Sequence, residues 1–123
     1  MRVVWMLLSL GLAVVPALAM GKRAAPQDVP PIVHQGVAYS FPHFGYLEEE
    51  GQNGGVVEAR DVKSGRRLWR LKAYTTRRVP GREQDVQDVF ITSAKLAGNR
   101  LVVTNEEGQT FEVDLTTRAV RAR

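Results

Sequence analysis

Two histidines, His34 and His43, are followed closely by the carboxylates Glu48, Glu49 and Glu50. Two imidazoles and a carboxylate are the ingredients of a small metal-dependent or hydrolytic enzyme, with His34, His43 and Glu48 as its site. Such chemistry needs more than the ingredients. A zinc centre takes three or four ligands in fixed geometry. Paired catalytic carboxylates must sit apart in a cleft that drives their proton affinities in opposite directions, whereas adjacent residues on a strand point to opposite faces. The plainer reading places the histidines in a loop or at a strand edge and makes Glu48–Glu50 a solvated turn flank. Ser40, Ser64 and Ser93 lack a Gly-x-Ser-x-Gly setting, and nothing marks either histidine as a partner base. Gly51-Gln52-Asn53-Gly54-Gly55 is glycine-rich but leads into a strand pattern, whereas a phosphate cradle needs a helix N-terminus after it. No catalytic residue, cofactor-binding residue or metal ligand is assigned, and no cofactor is expected. The residues point away from an enzyme.

The charge pattern points elsewhere. Between Arg60 and Arg82 lie nine basic residues against a single acid, Asp61, with Trp69 and Tyr74 interleaved. A basic stripe with aromatic residues suits an anionic partner. The candidate surface is Arg66, Arg70, Lys72, Tyr74, Arg77, Arg78 and Arg82. The competing reading has these cations solvating the outer face of a hairpin and blunting its edge, with Trp69 in the core.

The elements that must carry these residues follow from length and pattern. A chain of 123 residues makes one domain, and the absence of cysteine rules out disulfides and thiolate sites. Arg2, an apolar run from Val3 to Val15, Pro16 and then Ala17-Leu18-Ala19 form the pattern of a secretory signal peptide over 1–19, cleaved near Ala19. Residues 20–31, with three prolines, read as a flexible linker. The all-β domain spans 32–123. Short runs of β-branched and aromatic residues predict strands near Ile32–Ser40, Phe44–Glu48, Gly55–Val62, Arg67–Tyr74, Val86–Leu96, Leu101–Asn105, Thr110–Leu115 and Ala119–Arg121. Turn residues punctuate them at Gly51–Gly54, Lys63–Gly65, Gly98–Asn99 and Glu106–Gly108. Connections this short leave no room for crossover helices, so the pairing must be antiparallel.

A repeat organises the strands. Gly55 to Asp61-Val62 matches Gly108 to Asp114-Leu115 at an offset of 53. Each unit runs from a glycine turn through a strand ending in Asp into a tight turn and a further strand. A period near fifty belongs to propeller blades and similar arrays. The eleven residues from Ala59 to Trp69 resemble the blade motif of quinoprotein-type (PQQ-like) β-propellers, Ala-x-Asp-x-x-Thr/Ser-Gly-x-x-x-Trp. The resemblance implies that Asp61, Ser64 and Gly65 order a turn and that Trp69 packs between sheets. The second unit keeps Asp114 and Thr117, has Arg118 in the glycine position and lacks the tryptophan. Closed propellers need about four blades or more, and this chain supplies two units. The resemblance therefore informs sheet construction and implies no quinone site.

The expectation is a secreted or periplasmic, small antiparallel meander of two blade-like β-sheets that can pack as a sandwich. Its role is a non-enzymatic binding or interaction module of the cell envelope. Its partner is an envelope protein or an anionic polymer or lipid surface, with a second copy of the chain also admitted. Export makes nucleic acid an unsuitable partner. A structural variant of the same reading is an accessory subunit that completes a sheet on a larger protein. The long polar segment Thr75–Asp88 is a candidate contact loop. Deleting Arg78–Gln84 is expected to weaken partner capture while leaving the thermal unfolding transition cooperative. Unchanged capture would remove the loop from the contact surface.

Overall fold

The computed structural model describes residues 24–77, 79–81 and 87–123. The signal-peptide pattern over 1–19 lies outside them, as do Arg78 and Arg82 of the candidate surface. The fold is all-β, and the described residues form eight strands in two antiparallel four-stranded sheets. The first contains β1 (Ile32–His34), β2 (Val37–Ser40), β3 (Val56–Asp61) and β4 (Arg67–Lys72). The second contains β5 (Ile91–Ala97), β6 (Arg100–Asn105), β7 (Thr110–Asp114) and β8 (Val120–Ala122). Within each sheet the spatial order is the chain order, so each is a simple meander.

Alternation decides which face of each sheet is buried. In the first, Ile32, Tyr39, Ala59 and Trp69 form one cross-strand row and Val57 and Leu71 another, all on the same face. In the second, Leu96, Leu101, Val113 and Val120 share a row. These faces meet in one core. Tyr39, Phe41, Val57, Ala59 and Ala73 join Ile91, Leu101, Val103 and Val113, with Trp69, Leu71, Tyr74, Leu96 and Phe111 packed around them. Each buried aliphatic side chain contributes about 1.5–3 kcal/mol. With no cysteine in the chain, this burial substitutes for cross-links.

The structure corrects three strand expectations. Ile32–Ser40 is a hairpin rather than one strand, because Gln35 (φ 52°) and Gly36 (φ 78°) reverse the chain between β1 and β2. Two successive residues with positive φ match the twist of a tight hairpin, and glutamine before glycine is a weak signal for one. Phe44–Glu48 is not a strand. Residues 47–50 form a single helical turn, α1 (Leu47–Glu50), ended by Gly51 at φ 76°. Straight-chain glutamates favour helix over strand. The strand expected from Val86 begins at Ile91.

The junction between the sheets is tight at Gly54. A β-carbon there would lie 2.7 Å from the Val89 carbonyl oxygen and 2.8 Å from Phe90 Cδ1, at a backbone φ of 81°. Gly65 has a similar φ of 75° but open space around it. Gly65→Ala is therefore expected to cost about 1 kcal/mol from the left-handed backbone alone. Gly54→Ala is expected to cost about 3 kcal/mol, because overpacking adds to the backbone term. Denaturant midpoints of the two variants check the ordering.

Candidate functional site

The two Asp turns are built alike. Asp61 Oδ2 accepts the Ser64 N–H at 2.7 Å, and the Asp61 carbonyl accepts the Gly65 N–H at 2.8 Å. Ser64 Oγ then accepts the Arg66 N–H at 3.2 Å. In the second unit Asp114 Oδ1 accepts the Thr116 and Thr117 N–H groups at 2.8 and 3.0 Å, and its carbonyl accepts the Arg118 N–H at 2.7 Å. Thr117 Oγ1 accepts the Ala119 N–H, in the role of Ser64. Arg118 takes the glycine position at φ 68°, a conformation that costs a residue with a β-carbon about 1–2 kcal/mol. Its guanidinium lies 5.8 Å from the Trp69 ring centroid, so it links the second turn to the first sheet. Trp69 itself is partly buried and tilts against Tyr39 with ring centroids 5.9 Å apart.

The basic stripe does not stand as one free surface. Glu58, on the outer face of β3 with only 7% of its side chain exposed, draws in Arg60 Nε at 3.0 Å and Arg67 Nη1 at 3.5 Å. The Tyr46 hydroxyl also donates to Glu58. Burial pushes the Glu58 carboxyl up, but the hydrogen bonds from Tyr46 and Arg60 outweigh it and hold the group below its ordinary value. Arg70 pairs with Glu49 and Glu50 and lies over the Tyr46 ring. Lys72 Nζ reaches the Glu50 carbonyl at 3.3 Å. The middle of segment 41–55, Tyr46 to Glu50 with α1, thus lies on the outer face of the first sheet and engages its cations.

The remaining candidates scatter. Arg66 and Arg77 are exposed. Tyr74 is turned inward, stacked on Phe111 at 5.1 Å, with its hydroxyl donating to the Val89 carbonyl at 2.6 Å. Burial raises the phenol well above its ordinary range. A polar cleft of about 680 Å³ beside the Thr75–Asp88 segment is lined by Tyr74, Thr76, Arg77, Asp88, Glu106 and Gln109, among others.

The alternative enzyme site is not assembled. His34 lies on β1 and Glu48 is exposed on α1. His43 is buried against Phe44 and Phe90, with Nε2 at 2.8 Å from the Gln27 carbonyl. Among the described residues no group of three His, Cys, Asp or Glu side chains gathers as a metal site, and no helix is long and apolar enough to cross a membrane.

Two important residues escaped the sequence reading. Gln52 is 2% exposed. Its amide donates to the Gly54 and Tyr74 carbonyls at 3.0 Å each and accepts the Thr76 N–H at 2.9 Å. Glu112 on β7, with 11% of its side chain exposed, is met by Arg100, Arg121 and Arg123 at 3.7, 3.4 and 2.8 Å. The one available signal was the alternation of Phe111, Glu112 and Val113, which places Glu112 on the outer face.

No protein-family model matches the chain, and no curated protein matches it in sequence. Among solved structures it is similar to BamB from Moraxella catarrhalis, a PQQ-like β-propeller protein, with a TM-score of 0.55 and 15% sequence identity over 80% of this chain. The match takes up 26% of that protein, so the chain spans about a quarter of its length. At this identity the likeness concerns the fold, which is that of stacked four-stranded propeller-type sheets.

The Asp turns generate a pH prediction. Hydrogen bonds from the Ser64 backbone to Asp61, and from the Thr117 and Thr116 backbone to Asp114, hold both carboxyls below the ordinary value of 3.8. The stability they contribute is complete above that value and is lost as pH falls through the lowered ones. The thermal midpoint is therefore expected to drop below about pH 4, and Asp61→Asn/Asp114→Asn to flatten that drop. Melting curves between pH 2 and 6 measure both slopes.

Proposed function

We propose that the chain is a non-enzymatic protein-docking module of the cell envelope, built from two PQQ-like blade units and exported behind the 1–19 segment. The observation that carries this reading is the fold: two stacked propeller-type sheets whose candidate catalytic groups stay apart while arginines line both outer faces. Proteins read such surfaces through charge complementarity and shape. Anionic polymer or lipid is the lesser reading, because Arg60, Arg67, Arg70 and Lys72 of the first sheet already engage Glu58, Glu49 and Glu50 within the chain. That leaves Arg66 and Arg77, together with the second sheet's three arginines, which share the single carboxylate of Glu112 and stay more than half exposed, to meet a partner. The N-terminal pattern of one cation, an apolar run and Ala-Leu-Ala supports export, and a protein-rich, polymer-rich envelope supplies the partner.

The test is capture of envelope components on the immobilised protein, washed at low and then high salt. Retention of a discrete protein through the high-salt wash is expected. Retention only of anionic polymer or lipid that elutes steeply with salt would overturn the docking reading, since counterion release governs such binding.

A further inference from the structure

The two outer faces of the molecule are treated differently. The outer face of the first sheet is covered within the chain by segment 41–55, which brings Glu49 and Glu50 to Arg70 and Tyr46 to Glu58. The connection in the corresponding place of the second sheet, between β6 and β7, is only the tight turn at 106–109. On the outer face of that sheet Val102 is buried within the row of Lys95 and Glu112, and Arg100, Arg121 and Arg123 converge on Glu112. Three guanidiniums share one carboxylate, and their side chains are 53%, 70% and 53% exposed. Lys95 adds a further cation on the same cross-strand row, opposite Val102 and Glu112. Against these four cations the face carries two acids, Glu112 and Asp114, the latter opposite Arg100, so it keeps an excess of positive charge.

Beside this face the sheet is unfinished. β8 is its last strand. The Asp114 N–H donates to the Ala119 carbonyl and the Arg123 N–H to the Thr110 carbonyl. By the alternation of an antiparallel ladder, Val120 and Ala122 turn their N–H and C=O groups away from β7, toward the open edge. Arg121 and Arg123 project onto the cationic outer face, while Val120 continues the apolar row of Leu101 and Val113 on the other. A recess of about 460 Å³, lined by Gly108, Gln109, Thr110, Phe111, Ala122 and Arg123, runs along the same border.

The geometry points to β8 as the acceptor of an extended acidic segment from a partner protein, which adds a fifth strand to the second sheet. Its carboxylates meet Arg121 and Arg123, and its alternate apolar residues lie beside Val120 and Phe111. Strand addition takes affinity from main-chain hydrogen bonds and specificity from alternate side chains. An extended polypeptide offers donors and acceptors in register with the outward N–H and C=O groups of Val120 and Ala122, whereas a lipid phosphate or free phosphate at neutral pH is chiefly an acceptor. The inference rests on the protein-docking reading above and names its surface and the chemistry of its partner.

The probe is a fluorescent peptide of about ten residues alternating glutamate and valine, a length typical of a strand. It is titrated into the protein by anisotropy, with phosphatidylglycerol vesicles and inorganic phosphate as separate arms. Saturable peptide binding is expected, together with slowed amide exchange at Val120 and Ala122. Arg121→Glu/Arg123→Glu is expected to weaken it at least tenfold. Val120→Pro, which removes an outward N–H and leaves the β7 ladder whole, is expected to weaken it similarly. Charge reversal strips two partners from Glu112 and Val120→Pro strips none, so both variants are first checked for the parent's cooperative thermal transition, and if one fails to fold the other carries the test. No peptide binding, binding without protection at Val120 and Ala122, or binding to vesicles alone would each overturn the inference. In each case a protein still retained in the high-salt envelope capture would leave the docking reading standing.

Discussion

A small two-sheet protein without cross-links must bury one face of each sheet against the other, and it is then left with two outer faces. What those faces do decides whether the molecule ends there or continues as a stack. Here each carries a nearly buried glutamate, Glu58 on β3 and Glu112 on β7, collared by arginines. A bare charge at such a site would be costly to desolvate, and the collar makes it tolerable only while the arginines stay in place. The same arginines oppose the dry apolar contact that another sheet would need. Terminal units of stacked arrays characteristically have polar outer surfaces, and the outer faces of both described sheets are of that kind. The inward packing of Val57, Ala59, Leu101 and Val113 and the charged outer faces are two sides of the same strands.

The two Asp turns show how far a repeat can diverge without losing its geometry. Asp61 and Asp114 accept backbone N–H groups in the same way, and Ser64 and Thr117 do the same supporting work. The left-handed residue is glycine in one and arginine in the other. The strain at Arg118 is accompanied by a contact that glycine cannot make, the guanidinium over Trp69. The exposed cation–π contact is worth about 0.5–1 kcal/mol, comparable with the backbone cost. A tryptophan in one unit and an arginine in the other thus meet across the sheets.

Much of this was legible from local pattern. Alternation in Phe111-Glu112-Val113 and the Asp61–Gly65 motif gave the sheets, their antiparallel sense and the turns between them. The hairpin at Gln35-Gly36 was hidden because a β-branched strand pattern ran through a pair that is a weak turn signal. The helical turn at Leu47–Glu50 was hidden because its single turn is too short to show a period. The candidate surface was harder to read for a different reason. Charge counted along Arg60–Arg82 ignores acids from elsewhere in the chain, and Glu49, Glu50 and Glu58 reach these cations only through tertiary structure. Tyr74 looked available for stacking on a ligand, but its partner is Phe111 of the other sheet.

Gln52 has a mechanical consequence. Its side chain fastens the covering segment to the strand leaving the first sheet, through Gly54 on one side and Tyr74 and Thr76 on the other. Tyr74 is in turn bonded to Val89 at the entry to the second sheet. Tension applied at the cover is therefore shared with the connector through this amide, beside the ring contacts of His43 and Phe44 with Phe90. The join between cover and connector thus depends on the amide of a residue that carries no charge.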